Sequence, residues 1–200
     1  MAPTRSFSKK LFAALALTTF APRMLLVLAR YYLFRRNLGE DNALLDATDV
    51  MRGWQGLIGM LARRQVLGVI LGPAFGKHVT VYSTLFSKQS IRVGDNTYIG
   101  FDCNFGNVSI GSNVLISDGV TIMSGGHQHG TAGDRDYRYQ EGEYMRVFIG
   151  DGAWIGAGAI VMTSVGAGAI VGAGSVVTKP VPDGHVFVGV PARAIRSHVE

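Results

Sequence analysis

The segment from Ile149 to Val181 repeats with a period of six residues, and this period constrains the fold more than any other feature of the chain. A branched aliphatic residue returns at each sixth position, a glycine usually follows it, and a small residue or valine stands four positions later. The aliphatic positions, with one shortened step, are Ile149, Ile155, Val161, Val165, Val171 and Val177. A helix repeats at about 3.6 residues and a strand at about 2. The six-residue period instead predicts a solenoid in which short strands alternate with tight turns.

The same pattern begins upstream, near Phe75, so the solenoid is expected to hold about five coils. Hexads start at Val93 and Ile99 and continue at Phe105, and after a slip of one residue they start at Ile110, Ile116 and Ile122. Three hexads make one triangular coil, and coils stack at about 4.8 Å like any neighbouring strands. The sequence therefore predicts a mainly β fold with a parallel β-helix over residues 72–182. The pattern stops between Met123 and Phe148, which predicts a loop excursion over 124–148.

Residues 1–71 differ from the rest of the chain and predict a helical N-terminal extension. Residues 1–77 hold eleven Lys/Arg and four Asp/Glu, a balance of +7, whereas residues 78–200 hold eight and ten, a balance of −2. Two apolar runs within residues 1–36 are interrupted by Arg23 and Arg30. Two interpretations stay open: these helices lie on a membrane surface, or they cap the solenoid and pack within an oligomer. A cleavable signal or a true membrane span fits the pattern less well.

Shorter segments give further expectations. Residues 37–50 are polar and acidic and predict a turn or hinge. Residues 51–71 predict a helix that caps the first coil. Residues 183–200 predict a tail with a short C-terminal helix. The basic residues of the N-terminal third alternate with apolar runs, which argues against a nucleic-acid partner. The single cysteine, Cys103, falls at an inward position and predicts a core residue in a cytoplasmic protein, peripheral on the inner face of the membrane if residues 1–36 contact lipid.

The excursion carries two histidines, His127 and His129, in the run G-H-Q-H-G. A solenoid tolerates a loop at a corner without disturbing its core, and such loops often carry function. Histidine is neutral and basic near pH 7, which suits a general base. From these residues alone, a solvated surface histidine is the favoured interpretation of His127.

The order of the motifs resembles that of the hexapeptide-repeat acyltransferases, which fold as left-handed parallel β-helices. The repeat is followed by the histidine loop, by W-I-G at Trp154, by V-V-T-K-P-V-P and by G-V-P-A-R near the C-terminus. This order is most similar to that of the galactoside and maltose types of sugar O-acetyltransferase. The resemblance covers roughly Phe75–Arg196, while the apolar N-terminus looks like that of the transferases that modify surface polysaccharides.

The resemblance implies acetyl-CoA as co-substrate, no metal, and direct transfer of the acetyl group to a hydroxyl of a sugar or surface polysaccharide. It implies a homotrimer with each active site between two subunits. His127, five residues after Ile122, matches the general base of the family, and His129 competes with it. Asn104 matches a residue that contacts the acceptor, across the phase slip at Phe105.

The resemblance also implies a cofactor channel. Ala157 offers its backbone N–H to the thioester oxygen, and Trp154 flanks the channel. The residues matched to the pantetheine and phosphate contacts are Ala173, Thr178, Lys179, Arg193 and Arg196. The chain departs from the family where the Val161-to-Val165 step is two residues short and where Pro180 replaces a commonly acidic residue.

Other functions stay open at this point. N-acetylation of an amino sugar and acetylation of a drug hydroxyl are variants of the same chemistry. A metalloenzyme of the γ-carbonic-anhydrase type shares the β-helix but needs three histidines at ligand positions across subunits. The remaining alternative is a non-catalytic β-helix scaffold at a membrane.

Overall fold

The structure, a computed structural model, describes residues 5–126, 136 and 140–197, and it describes only the backbone of residues 5–13, 15–17, 196 and 197. The described chain begins with three helices, α1 (Arg5–Leu38), α2 (Glu40–Arg52) and α3 (Gly56–Leu71), followed by a 3-10 turn at Gly72–Ala74. Short strands follow: β1 (Thr80–Val81), β2 (Thr84–Phe86), β3 (Arg92–Val93), β4 (Tyr98–Ile99), β5 (Cys103–Phe105), β6 (Val108–Ile110), β7 (Leu115–Ile116), β8 (Thr121–Ile122), β9 (Val147–Ile149), β10 (Trp154–Ile155), β11 (Ile160–Val161), β12 (Ile170–Val171), β13 (Val176–Val177), β14 (His185–Val188) and β15 (Arg193–Ser197).

The strands of the described chain form three sheets that enclose a triangular prism, and all their pairs are parallel except β14 with β15. Sheet A has the order β3-β6-β9, sheet B the order β1-β4-β7-β10-β12-β14-β15, and sheet C the order β13-β11-β8-β5-β2. Isolated bridges at Phe75, Val165 and Val181 extend sheet A where no strand is assigned. The chain passes through sheets A, B and C in turn, and the corners between them are called here the A–B, B–C and C–A edges. The predicted left-handed β-helix of about five coils is confirmed.

The size rule of the repeat arises from the narrow interior of this prism. The aliphatic positions point inward, so Ile155 and Val171 are fully buried. The small positions share the same interior, and Ala159, Ala169 and Ser175 are fully buried as well. A larger side chain at the small positions would collide with the stacked layers, because interiors are packed at crystal-like density.

The irregular steps of the repeat lie at one corner of the prism. The slip between Phe105 and Ile110, the short step from Val161 to Val165 and the excursion after β8 all fall on the C–A edge. The short step therefore lies after β11 and not beside Trp154 in β10. Corners tolerate changes in length that the hydrogen-bonded strands cannot, because a one-residue slip turns every side chain of a strand to the other face.

Two predicted elements are wrong. Residues 37–50 are not a hinge, because α2 places Ala43, Leu44, Ala47 and Met51 on one buried face at helical spacing. The C-terminal tail does not form a helix, because β15 pairs antiparallel with β14. This pairing satisfies the backbone groups that the last strand of the stack would otherwise leave open at its edge.

Helix α3 covers the first coil, as the sequence predicts. Its buried residues include Met60, Val66 and Leu67, and the Arg63 guanidinium donates a hydrogen bond to the Val81 carbonyl of β1 at 3.1 Å. Among the described helices, one stretch, Gly56–Ala74, is long and apolar enough to cross a membrane by length and composition, and 39% of its apolar window is buried inside the protein.

Glycines allow the coils to stack closely at the corners. A Cβ added at Gly94 would lie 2.5 Å from the backbone carbon of Gly111 in the next coil, which neither coil can relieve without shifting. We expect Gly94→Ala to lower the free energy of unfolding by about 1–3 kcal/mol. Gly68→Ala in α3 is the matched control, because a Cβ there meets no atom within 4 Å. It should raise stability by roughly 0.5–1 kcal/mol in the same urea titration, so a loss at Gly68 or no loss at Gly94 would contradict this account.

Candidate active site

The B–C edge carries a ladder of backbone amides, one from each coil. The carbonyls of Phe101, Asp118 and Ala157 accept the N–H groups of Gly119, Gly158 and Gly174 in the next coil, at 2.7, 2.9 and 2.8 Å, so these residues occupy equivalent places. Their own N–H groups point out of the ladder. In coil 2 the Phe101 N–H donates to the Asp118 carboxylate of coil 3 at 2.8 Å, so a side chain from the next coil caps the exposed amide.

The same capping recurs along the A–B edge. The amides of Lys77, Ser112 and Ala167 donate to Asp95, Asp151 and Asp183 at 2.7, 2.7 and 2.8 Å. An aspartate in the following coil therefore caps four of the edge amides in the described solenoid.

The amides of Ala157 and Ala173 have no such cap. The residue placed to cap the Ala157 amide is Ala173, which has no side-chain acceptor. Both alanines are exposed, and within the described residues neither amide N–H has a hydrogen-bond partner. The Asp118 amide of the preceding coil, which faces Ala157, also has none there, as does the Asp151 amide on the A–B edge. Three successive coils therefore present unpaired donors on the B–C edge, where an anionic or developing oxyanion oxygen can accept them.

Trp154 and the C-terminal arginines lie on sheet B, toward the same end of the solenoid. Trp154 faces outward from β10 between Leu115 and Ile170, with 46% of its surface exposed, so it is available to a ligand and is not part of the core. Arg193 is exposed on β15 and donates a hydrogen bond to the Ala192 carbonyl at 2.8 Å. Arg196 pairs through its backbone with Val186 of β14.

A second group of site residues lies at the C–A edge. Thr178 and Lys179 follow β13 and are exposed. Thr178 lines a cavity of about 250 Å³ together with Gly125, Gly126 and Met162. His127 and His129 follow directly in the sequence but lie outside the described residues.

The structure separates Asn104 from the open amides. Asn104 is exposed on the outer face of β5 in sheet C, where it lines a cavity of about 280 Å³ with Lys88, Thr121, Ser124 and Tyr144. Its contacts are thus with the start of the excursion and not with the B–C edge.

A cavity at the B–C edge of the first two coils was not predicted from the sequence. Its volume is about 520 Å³, and its wall combines aromatic, acidic and basic side chains. The lining includes Trp54, Arg52, Asp49, Tyr82, Phe101 and Asp102. The rings of Tyr82 and Phe101 stack with centroids 4.2 Å apart, and Arg52 lies 3.6 Å from Asp102. Exposed aromatic residues at equivalent corners of two hexads, such as Tyr82 and Phe101, were the available signal in the sequence.

Cys103 is a core residue, as its place in the repeat predicts. Only 1% of its surface is exposed, and burial raises the pKa of its thiol to about 11. The thiol therefore stays protonated near neutral pH, and a thiol is a poor nucleophile.

Comparisons with known proteins agree with this architecture. A family profile described as the hexapeptide repeat of succinyl-transferase matches residues 90–124 and 146–179. No curated protein sequence matches the chain significantly.

Several solved structures share the fold over most of their length. A hexapeptide-repeat acetyltransferase from Vibrio cholerae is 25% identical, with a TM-score of 0.66 over 80% of this chain and 94% of its own. A maltose O-acetyltransferase from Clostridium difficile 630 is 29% identical, with a TM-score of 0.64 over 88% and 89%. A galactoside acetyltransferase solved with coenzyme A is 27% identical, with a TM-score of 0.61 over 78% of each chain. The chain therefore carries hexapeptide repeats and is similar to the galactoside and maltose acetyltransferases.

Proposed function

We propose that this protein transfers an acetyl group from acetyl-CoA directly to a hydroxyl group of a sugar or surface polysaccharide. The observation that carries the proposal is the pair of unpaired amides at Ala157 and Ala173, on the edge where an aspartate caps the equivalent Phe101 amide of coil 2. Solved structures similar to this chain include sugar acetyltransferases, one of them bound to coenzyme A.

The cofactor would lie along the B–C edge, parallel to the solenoid axis. The order β10-β12-β14-β15 in sheet B puts Arg193 three strands beyond Trp154, which is roughly 14 Å at the spacing of paired strands. That span suits a cofactor whose thioester lies at Ala157 and whose phosphates meet Arg193 and Arg196. Arginine suits phosphate because its guanidinium donates forked hydrogen bonds.

The acceptor sugar would occupy the large cavity at the other end of the same edge. Phe101 and Asp102 lie in coil 2, two coils from Ala157 and so roughly 10 Å away along the axis. Aromatic rings pack against the apolar faces of sugars, while Asp49, Asp102 and Arg52 offer partners for hydroxyl groups. An acceptor longer than one sugar unit could therefore reach the open amides from this cavity.

The reaction needs no covalent enzyme intermediate. His127 would accept the proton of the acceptor hydroxyl while the hydroxyl oxygen attacks the thioester carbon. The Ala157 N–H would stabilise the resulting oxyanion. The intermediate collapses as the C–S bond breaks, and the imidazolium returns its proton to the departing thiolate of CoA.

The two groups of site residues suggest an active site shared between subunits. The open amides lie on the B–C edge, whereas Thr178, Lys179 and the start of the excursion lie on the C–A edge. Five residues separate Ala157 from Met162 across sheet C, or roughly 16 Å of extended chain. One chain therefore holds the start of the excursion and the oxyanion donor on opposite edges of sheet C, and a homotrimer would bring the C–A edge of one subunit to the B–C edge of the next.

The test combines CoA binding with turnover. Calorimetry measures the affinity of the wild-type protein for CoA, and release of free thiol from acetyl-CoA is followed with a panel of hydroxyl sugars and amino sugars. Stimulation by a hydroxyl sugar supports O-transfer, and stimulation by amino sugars alone redirects the proposal to N-acetylation. Absence of CoA binding would overturn it in favour of a scaffold, and bound zinc, iron or cobalt would favour the metalloenzyme.

Ala173→Asn tests the open amide. The amide oxygen of an asparagine at this position would cap the Ala157 N–H as Asp118 caps Phe101, without adding charge. We expect turnover to fall by about 10- to 100-fold, because one preorganised oxyanion donor is lost, while thermal stability is kept. Ala167→Asn is the matched control, because it adds the same side chain in the same coil at the A–B edge. An equal loss of turnover in both variants would refute the role of the Ala157 amide.

Phe101→Ala and Arg193→Ala should separate the two ends of the edge. Phe101 is 44% exposed, so its loss should raise the KM for the sugar by about 5- to 20-fold and leave the Kd of CoA unchanged. Loss of Arg193 should weaken CoA binding by about 10- to 100-fold with little effect on the sugar. Steady-state kinetics and calorimetry on both variants check this, and a reversed or identical pattern would contradict the assignment.

A further inference from the structure

Helix α1 presents an apolar face that nothing in the described chain covers. Its inner face packs on the protein through Phe20, Val27 and Tyr31, which are buried. The opposite face, called here the outer stripe, consists of Leu25, Leu26, Ala29, Tyr32 and Leu33. Its four large residues are 67%, 68%, 51% and 59% exposed in that order. Exposed patches of this kind mark interaction surfaces.

The charge of α1 identifies the kind of partner. Residues 5–38 contain seven Lys/Arg and no Asp/Glu. Two of these charges are neutralised from α2, because Arg30 binds Asp46 and Arg35 binds Glu40. Arg23 and Arg36 form no ion pair within the described residues and flank the outer stripe in sequence. The surface thus combines apolar side chains with uncompensated positive charge.

We propose that the outer stripe binds the surface of an anionic lipid bilayer, with α1 lying parallel to it. Leucine side chains enter the acyl region, tyrosine sits at the interface, and arginines meet negatively charged headgroups. A second copy of the helix is a poorer partner, because it would bring the same positive charge against this one. Tyr31 donates a hydrogen bond to Gln89 of the first coil at 3.2 Å, so a bound helix would hold the whole solenoid at the membrane.

The test is cosedimentation of the full-length protein with vesicles. Vesicles of phosphatidylcholine alone are compared with vesicles that also contain phosphatidylglycerol, at low and high salt. We expect binding to the anionic vesicles that weakens with salt. The double variant Leu26→Gln with Leu33→Gln should reduce the partition coefficient by about tenfold or more, because two exposed leucines no longer enter the lipid.

The double variant Phe148→Gln with Ile195→Gln is the matched control, because it removes two apolar side chains that are 55% and 61% exposed on the solenoid. It should bind the anionic vesicles like the wild type. The inference is overturned if the wild type does not bind anionic vesicles or if both double variants bind equally well. It is also overturned if the leucine variant changes the oligomeric state in light scattering while the wild type ignores lipid, because the stripe is then a subunit interface. None of these outcomes depends on acetyl transfer.

Discussion

Replacing Arg63 with alanine is expected to lower the free energy of unfolding by about 3–5 kcal/mol. Only 2% of Arg63 is exposed, and its guanidinium joins three parts of the fold. It donates hydrogen bonds to the carbonyls of Met51 at 2.8 Å, Trp54 at 2.7 Å and Val81 at 3.1 Å. These carbonyls belong to the end of α2, the α2–α3 turn and the first coil. Alanine would leave the Trp54 and Val81 carbonyls without this donor in a buried place, whereas the Met51 carbonyl would keep the Trp54 N–H, and it would open a cavity beside them.

The large effect follows from the isolation of this charge. Burial lowers the pKa of Arg63 to about 10, so the guanidinium is still protonated at neutral pH. No carboxylate pairs with it within the described residues, and its Nε has no hydrogen-bond partner there. The three carbonyls are therefore the hydrogen-bond acceptors that stabilise the buried charge. The charge in turn supplies the donors for these carbonyls, so the helices and the first coil depend on the same contact.

Arg64→Ala is the matched control for this prediction. Arg64 is the next residue of α3, is partly exposed and makes no ion pair in the described chain, so its loss should change stability by no more than about 0.5 kcal/mol. Arg63→Lys should fall between the two, because one ammonium group cannot span three carbonyls. Urea denaturation of the three variants gives the comparison. Equal midpoints for Arg63→Ala and Arg64→Ala would show that the buried guanidinium does not join the helices to the solenoid.

The solenoid could be predicted from the sequence because its core is one layer deep. Each inward position accepts side chains of one size. The residue types at Ile155 and Ala159 therefore indicate where each position lies in its coil. The pattern is local and repeats, so a wrong assignment in one coil does not alter the assignment of the next coil. The slip at Phe105 and the short step at Val161 looked like defects in this pattern, but both lie on the C–A edge, where length is free to vary.

The ends of the chain could not be predicted in the same way. The apolar residues of α2 form a narrow stripe among acidic residues, so the sequence of this segment resembles that of a turn. The helix is stabilised because the face with Ala43 and Leu44 is buried in the folded protein. The tail becomes a strand because β14 offers an open edge, which is a property of the assembled stack. Local sequence carries little information about such pairings.

The candidate site was predictable where it follows the repeat and hidden where it depends on neighbouring coils. The positions of Trp154, Ala157 and Thr178 within their coils follow from the hexads, while their roles in a site are what the resemblance implies. The openness of the Ala157 amide does not, because it depends on what stands one coil away at Ala173. The large cavity is assembled from the α2–α3 junction and two coils, so its residues, such as Asp49 and Asp102, are far apart in sequence.

The remaining prediction is that His127→Ala lowers kcat by about 10²- to 10⁴-fold and leaves the Kd of CoA unchanged. His127 lies outside the described residues, so the expectation rests on its place in the sequence, directly after Gly126, which shares a cavity with Thr178 on the C–A edge. A general base acts in the chemical step and not in cofactor binding, which is why the two constants should separate. In the wild type, kcat/KM should fall in acid as the base becomes protonated, and His127→Ala should lose this dependence.

His129→Ala is the matched control, because it removes the same imidazole two residues further along the loop. We expect it to keep most of the activity and the acidic limb of the pH profile. If His129→Ala abolishes turnover and His127→Ala does not, the base is His129, and the position five residues after Ile122 has misled the assignment. If neither variant loses more than about tenfold, no loop histidine acts as the base, because general-base catalysis is worth at least 10²-fold. Oxyanion stabilisation and alignment along the B–C edge would then have to supply the rate.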